Sequence, residues 1–225
     1  MQKLETEPIS FMDSKAAKLA TESQLFSIYG GGNTQIDYYA FSQFERRDAL
    51  WPSLRGKKIL DIGSGVNDFV AKLVAKGADA YGLDYRYLDK EKLIAENPSN
   101  PFFITSLKHN PDRYIGGLAH KLPFESETFD AVTSLDTIFG ITDHDLNLLM
   151  LNIEEGIRVL KPNGLFRFGP YQYRELTNIQ RANQERVVGI LKSRSDIDVF
   201  PKLPELLPRI RLIEEIGLLT IQKAA

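Results

Sequence analysis

Ile59-Leu-Asp-Ile-Gly-Ser-Gly65 decides how the rest of the chain is read. Lys58 to Ile62 reads as a short apolar strand that ends on glycines, and a helix follows at once from Asp68 to Lys76, with Phe69, Val70, Leu73 and Val74 on one stripe. Glycines at a strand-to-helix turn let the backbone approach a ligand lying across the strand's carboxyl end, where open α/β sheets bind their ligands. A tight turn without a ligand is the plainer alternative.

Working outward, a strand and helix alternation continues, the pattern of a parallel sheet covered on both faces. Ala80 to Asp84 is the second strand. Helices are expected from Asp89 to Glu96 and from Asn100, where Asn as cap and Pro101 in the first turn make a start signal. Tyr114 to Ala119 and Phe129 to Ser134 read as strands. Thr142-Asp143 is expected to cap a helix in which Leu146, Leu149, Met150, Ile153 and Ile157 recur at helical spacing, ending before Lys161-Pro-Asn-Gly164; Leu165 to Phe168 is the next strand.

The two ends depart from this alternation. Ser14 to Ser27 and the aromatic stretch Ile36 to Leu50 read as helices of an N-terminal arm, residues 1–50, interrupted by Gly30, Gly31 and Gly32 and placed as a lid or arm before a domain spanning 51–225. After a polar helix from Glu175 to Lys192 come Pro201, Pro204 and Pro208, then Arg211 to Glu215 and Leu218 to Lys223 as a hairpin around Gly217. The fold class expected is α/β: a Rossmann-like, doubly wound, mostly parallel sheet ending in an antiparallel hairpin, with an N-terminal helical arm.

Composition narrows the function classes. With 225 residues, 43% hydrophobic and 26% charged, the chain can bury one full α/β core, so disorder is disfavoured. A net charge of −2 gives no long-range attraction for a polyanion, and nucleic acid is a disfavoured partner. No cysteine is present, which excludes disulfides, thiolate-metal sites and a cysteine nucleophile. His109 has no neighbouring His or Cys, and no metal site is expected. No apolar run reaches the roughly 18 residues of a membrane helix, and Met1 to Ser10 carries Glu5 and Glu7 without an apolar core, unlike a signal peptide. The expected compartment is the cytoplasm, with no membrane contact. The oligomeric state is not legible.

Asp84 closes the second strand, where a carboxylate can accept two hydrogen bonds from a vicinal diol; Tyr85 beside it offers an adenine face. A solvated aspartate opening a turn is the alternative. Further on stand Leu118-Ala-His-Lys-Leu-Pro-Phe-Glu-Ser-Glu-Thr-Phe-Asp-Ala-Val-Thr-Ser-Leu-Asp136 and Arg158-Val-Leu-Lys-Pro-Asn-Gly-Leu-Phe166. Together with the glycine turn and Asp84, these motifs resemble those of the class I S-adenosylmethionine-dependent methyltransferases over about Lys57 to Phe168, and more loosely over the closing strands.

The resemblance implies S-adenosylmethionine as cofactor. It implies that Gly63, Ser64 and Gly65 face the methionine and ribose, Asp84 the ribose diol, Ala119 and His120 the adenine edge, and Ser134 and Leu135 the methionine amino group. Two departures stand out: Asn67 replaces the usual third glycine of the first motif and keeps a polar contact available, and Leu118 replaces an acidic residue common before Ala119.

Methyl transfer from a sulfonium needs alignment and exclusion of water more than a side-chain nucleophile. Asp136, His144 and His120 are the candidates for a base by position, each equally readable as a helix cap or solvated polar residue. Tyr171 and Tyr173, and Tyr29, Tyr38 and Tyr39 from the arm, are candidates to line an acceptor pocket. A small-molecule acceptor is expected first and a protein acceptor second. Two rivals are a non-catalytic binding protein that kept the fold and an NAD-dependent oxidoreductase; the latter fits poorly, because Gly63-Ser-Gly65-Val-Asn-Asp68 does not complete the dinucleotide fingerprint and no Tyr-x-x-x-Lys occurs.

Overall fold

The computed structural model describes residues 55–66, 69–75, 77–135, 137–138, 144–171, 177–200 and 217–225. Seven strands form one sheet: β1 (Lys58–Ile62), β2 (Asp79–Asp84), β3 (Tyr114–Gly116), β4 (Phe129–Leu135), β5 (Leu160–Tyr171), β6 (Ile197–Phe200) and β7 (Gly217–Lys223). Their order is β3-β2-β1-β4-β5-β7-β6. β1, β2, β3, β4 and β5 pair in parallel, whereas β7 runs antiparallel to both β5 and β6. The chain builds outward from β1 through β2 to β3, then returns to place β4 on the other side of β1. That reversal opens a crevice at the carboxyl ends of β1 and β4, the site this architecture offers to ligands.

Among the described residues five α-helices flank the sheet: α1 (Phe69–Ala75), α2 (Lys90–Glu96), α3 (Pro101–His109), α4 (Leu146–Val159) and α5 (Asn178–Lys192). β1 and β4 are buried on both faces, which is why they read as near-continuous apolar runs. One face packs Ile59, Phe69, Val70, Leu73, Phe103 and Leu107. The other packs Leu60, Val132, Phe166, Leu149, Ile153 and Val187. Asn100 caps α3 through Oδ1 to the Phe103 N–H, with Pro101 in the first turn, as its sequence signature requires.

Several boundaries differ from expectation. The cap of α4 is Asp145, whose carboxylate accepts from the Asn147 and Leu148 N–H groups; the expected cap residues 142–143 lie outside the described residues. β5 is far longer than Leu165 to Phe168, because Lys161-Pro-Asn-Gly164 joins it with Asn163 at φ 63°. α5 starts at Asn178 on a capping box formed by Thr177 and Gln180, not at Glu175. The partner of β7 at the sheet edge is Ile197–Phe200, a strand that the sequence reading does not anticipate; residues 201–216, including the expected strand from Arg211 to Glu215, lie outside the described residues. So do residues 1–50, the expected arm.

Candidate functional site

The turn after β1 lies in the crevice and is tethered from several elements. Gly63 and Gly65 adopt φ of 72° and 61°, a left-handed backbone that favours glycine, and a Cβ on Gly63 would overlap the Thr137 side chain. The Gly63 and Ser64 N–H groups both donate to the Leu83 carbonyl at 2.7 and 3.1 Å, drawing the turn onto the end of β2. The Gly65 N–H donates to Asp84 Oδ2 at 3.0 Å, and the Tyr87 hydroxyl donates to the Gly65 carbonyl at 2.5 Å. Asn100 Nδ2 donates to the Val66 carbonyl, so the residue that caps α3 also fixes the far side of the turn. A turn held this way is ordered before any ligand meets it, and such preorganisation lowers the entropic cost of association.

Asp84 is 5% exposed and saturated. Its Oδ1 accepts from the Arg86 N–H at 2.9 Å and from Arg86 Nε at 3.0 Å; its Oδ2 accepts from Arg86 Nη2 at 3.0 Å besides the Gly65 N–H. The carboxylate in turn holds the Arg86 guanidinium above its ordinary pKa.

Tyr85, the next residue, is 61% exposed. The Gly117 N–H donates to the Asp84 carbonyl, bringing the turn after β3 alongside, and in that turn Leu118 is exposed, Ala119 half-buried and His120 exposed. Tyr85 and the 118–120 turn therefore border the same end of the sheet. Ser134 is fully buried near the end of β4, and its hydroxyl has no partner among the described residues. A buried polar atom left unpaired is costly unless a ligand or water completes it.

Asp61 is a site residue that the sequence reading does not single out. It lies inside β1, accepts from the Thr133 hydroxyl at 2.8 Å, and is pushed up to about 7 by burial, against the lowering effect of the Thr133 bond. Its signal was an acidic residue inside an otherwise apolar strand. Arg86, Tyr87 and Asn100 were also missed as site residues. Asn67 and Asp136 lie outside the described residues, Leu135 is described through its backbone pairing with Gly169 alone, and His144 is an exposed residue just before the cap of α4. Tyr171 pairs with Gly217 through its backbone, whereas Tyr29, Tyr38, Tyr39 and Tyr173 lie outside the described residues. Among the described residues no group of His, Cys, Asp and Glu could hold a metal ion, and no helix is long and apolar enough to cross a membrane.

The strand order and the mostly parallel sheet agree with the fold of known proteins. Residues 60–168 match a family described as a methyltransferase domain. Over those residues the chain is similar to the class I, S-adenosylmethionine-dependent methyltransferases. S-adenosylmethionine is the family's cofactor, and the turn, Asp84 and the unpartnered Ser134 hydroxyl fit a ligand of that kind. A demethylmenaquinone methyltransferase from Roseiflexus sp. (strain RS-1) is 34% identical over 91 residues, which make up 38% of this chain and 33% of that relative. The matched segment thus spans about a third of the relative's length. A protein from Methanococcus maripaludis solved as a candidate S-adenosyl-L-methionine-dependent methyltransferase shares the methyltransferase fold at a TM-score of 0.57 and 18% identity, covering 100% of this chain and 98% of that one. An S-adenosylmethionine-dependent methyltransferase from Aquifex aeolicus gives a TM-score of 0.50 and 14% identity, over 90% and 97% of the two chains.

Proposed function

We propose that the domain binds S-adenosylmethionine across the carboxyl ends of β1, β2 and β4 and transfers its methyl group to a small-molecule acceptor. The observation that carries this reading is the glycine turn fixed to Asp84 at the point where strand order reverses. Gly63, Ser64 and Gly65 face the methionine and ribose, Asp84 takes the ribose diol, Tyr85 with Ala119 and His120 borders adenine, and Ser134 with Leu135 receives the amino group. Asn67 adds a polar contact beside the turn. Residues 1–50 serve as an arm or lid to a methyltransferase domain from 51 to 225.

The bound cofactor supplies a methyl group on a sulfonium, ready for in-line displacement. The chain's own part is to align the acceptor and keep water out. His120 and His144 are exposed, which favours a reaction with no obligatory side-chain base; Asp136 is the remaining candidate if the acceptor must lose a proton. The Roseiflexus relative is named for a small-molecule acceptor, and the net charge of −2 argues against a polyanionic one, so a protein acceptor ranks second.

One observation favours a second reading, a binding protein without turnover: Leu118 is 50% exposed and apolar where the family commonly has an acid. Thermal unfolding with S-adenosylmethionine, S-adenosylhomocysteine and NAD tests the binding half. At a hundred times its dissociation constant a ligand adds about 2.7 kcal/mol, and the two S-adenosyl compounds should stabilise while NAD should not. Mass spectrometry of a lysate incubated with methyl-labelled cofactor then tests transfer, and a stabilised protein that labels nothing would select the second reading.

A further inference from the structure

We propose that Arg86 sets the affinity of this site by holding Asp84 in the ligand's absence, so that the guanidinium and the ribose hydroxyls compete for one carboxylate. The inference rests on the reading of Asp84 as the ribose acceptor. An ionised carboxylate offers about four lone-pair directions. Two are taken by backbone N–H groups, those of Gly65 and of residue 86, and these belong to the turn itself. The other two are taken by the Arg86 fork, Nε on Oδ1 and Nη2 on Oδ2, both at 3.0 Å. A vicinal diol presents two donors to the same two positions, and it finds no acceptor there while the fork stays.

The guanidinium also stands in the ligand's path. Its Nη2 lies 3.1 Å from where a Cβ of Gly65 would be, directly over the residue whose lack of a side chain opens the crevice. The two partners differ in freedom. Asp84 is buried and tied to the turn, whereas the Arg86 side chain is 39% exposed on the short 3-10 turn 85–89 and can move into water. The exchange therefore runs by displacement of Arg86, with the carboxylate and the glycine turn unmoved. The apparent dissociation constant is raised by the fraction of free molecules in which the fork is closed.

Calorimetric titration of the full chain with S-adenosylhomocysteine, on the wild type, Arg86→Ala, Arg86→Gln and Asp84→Asn, tests this. Both variants keep the backbone N–H bond at position 86, and the longer polar side chain of Arg86→Gln covers the case in which the alanine variant fails to fold. Both Arg86 variants should bind about two- to tenfold more tightly than the wild type, the scale of a part-exposed ion pair. The gain should appear in the association rate measured by stopped flow. Unchanged or weaker binding by folded Arg86 variants, with Asp84→Asn impaired, overturns the inference and leaves Asp84 as the ribose acceptor. Wild-type affinity in Asp84→Asn overturns both.

Discussion

The Thr133 hydroxyl on β4 donates to the Asp61 carboxylate on β1 across 2.8 Å, at paired positions of neighbouring strands and on the buried face of the sheet. Burial moves Asp61 from its ordinary 3.8 up to about 7, so between those values the folded chain binds a proton that the unfolded chain has lost. The contribution of this group to stability is full below about pH 4 and is lost as pH rises through 7. Its size is of order 4 kcal/mol. Urea midpoints of the wild type and Asp61→Asn, measured from pH 4.5 to 8, should diverge, the neutral variant lacking this decline. Parallel profiles would mean that Asp61 titrates normally.

The glycines of the turn should not be equivalent. Gly63→Ala combines a left-handed backbone with overlap on Thr137 and should cost roughly 3 kcal/mol. Gly65→Ala meets the end of the Arg86 side chain closely and the Gly63 carbonyl at an ordinary 3.8 Å, and should cost roughly 1 kcal/mol of stability. Cofactor affinity should fall further for Gly65→Val than for Ser64→Ala. Chemical denaturation and calorimetry on the four variants check the ranking, and a normally binding valine variant would place the ligand elsewhere.

Tyr87→Phe removes the donor to the Gly65 carbonyl while keeping the ring against Phe103 and Tyr114. The turn then loses one tether and leaves a buried acceptor unpaired, at about 1–3 kcal/mol. Stability and S-adenosylhomocysteine affinity should both fall. Loss of stability with unchanged affinity would make the tether structural alone.

Gly156 sits inside α4, where glycine costs about 1 kcal/mol relative to alanine, yet a Cβ there would overlap the Phe166 ring on β5. Gly156→Ala should therefore lower the melting temperature despite its better helix propensity. A rise in melting temperature would show that the helix can lift from the sheet at little cost.

The alternation of strands and helices was legible because β1 and β4 are buried on both faces and because Asn100-Pro101 is a start signal that needs no tertiary context. The cap of α4 was misplaced because Thr142, Asp143 and Asp145 all carry the right oxygen, and local chemistry cannot choose among them. β6 is four residues of Ile197-Asp-Val-Phe200 that become a strand through pairing with β7, a non-local contact. In the site, Gly63, Gly65 and Asp84 were visible from spacing. Tyr87, Arg86 and Asn100 were not, since each acts through a side chain whose partner is known only once β1, β2 and α3 are brought together. Asp61 was not singled out, since its partner Thr133 lies 72 residues away.

Asp84, beside the glycine turn, is proposed to hold the ribose of S-adenosylmethionine. Calorimetric titration with S-adenosylmethionine should give one site on the wild type, and Asp84→Ala, checked as folded by circular dichroism, should bind roughly ten- to over a hundredfold more weakly, the scale of a charged hydrogen bond. Equal affinity in the folded variant would mean that Asp84 does not hold the ribose.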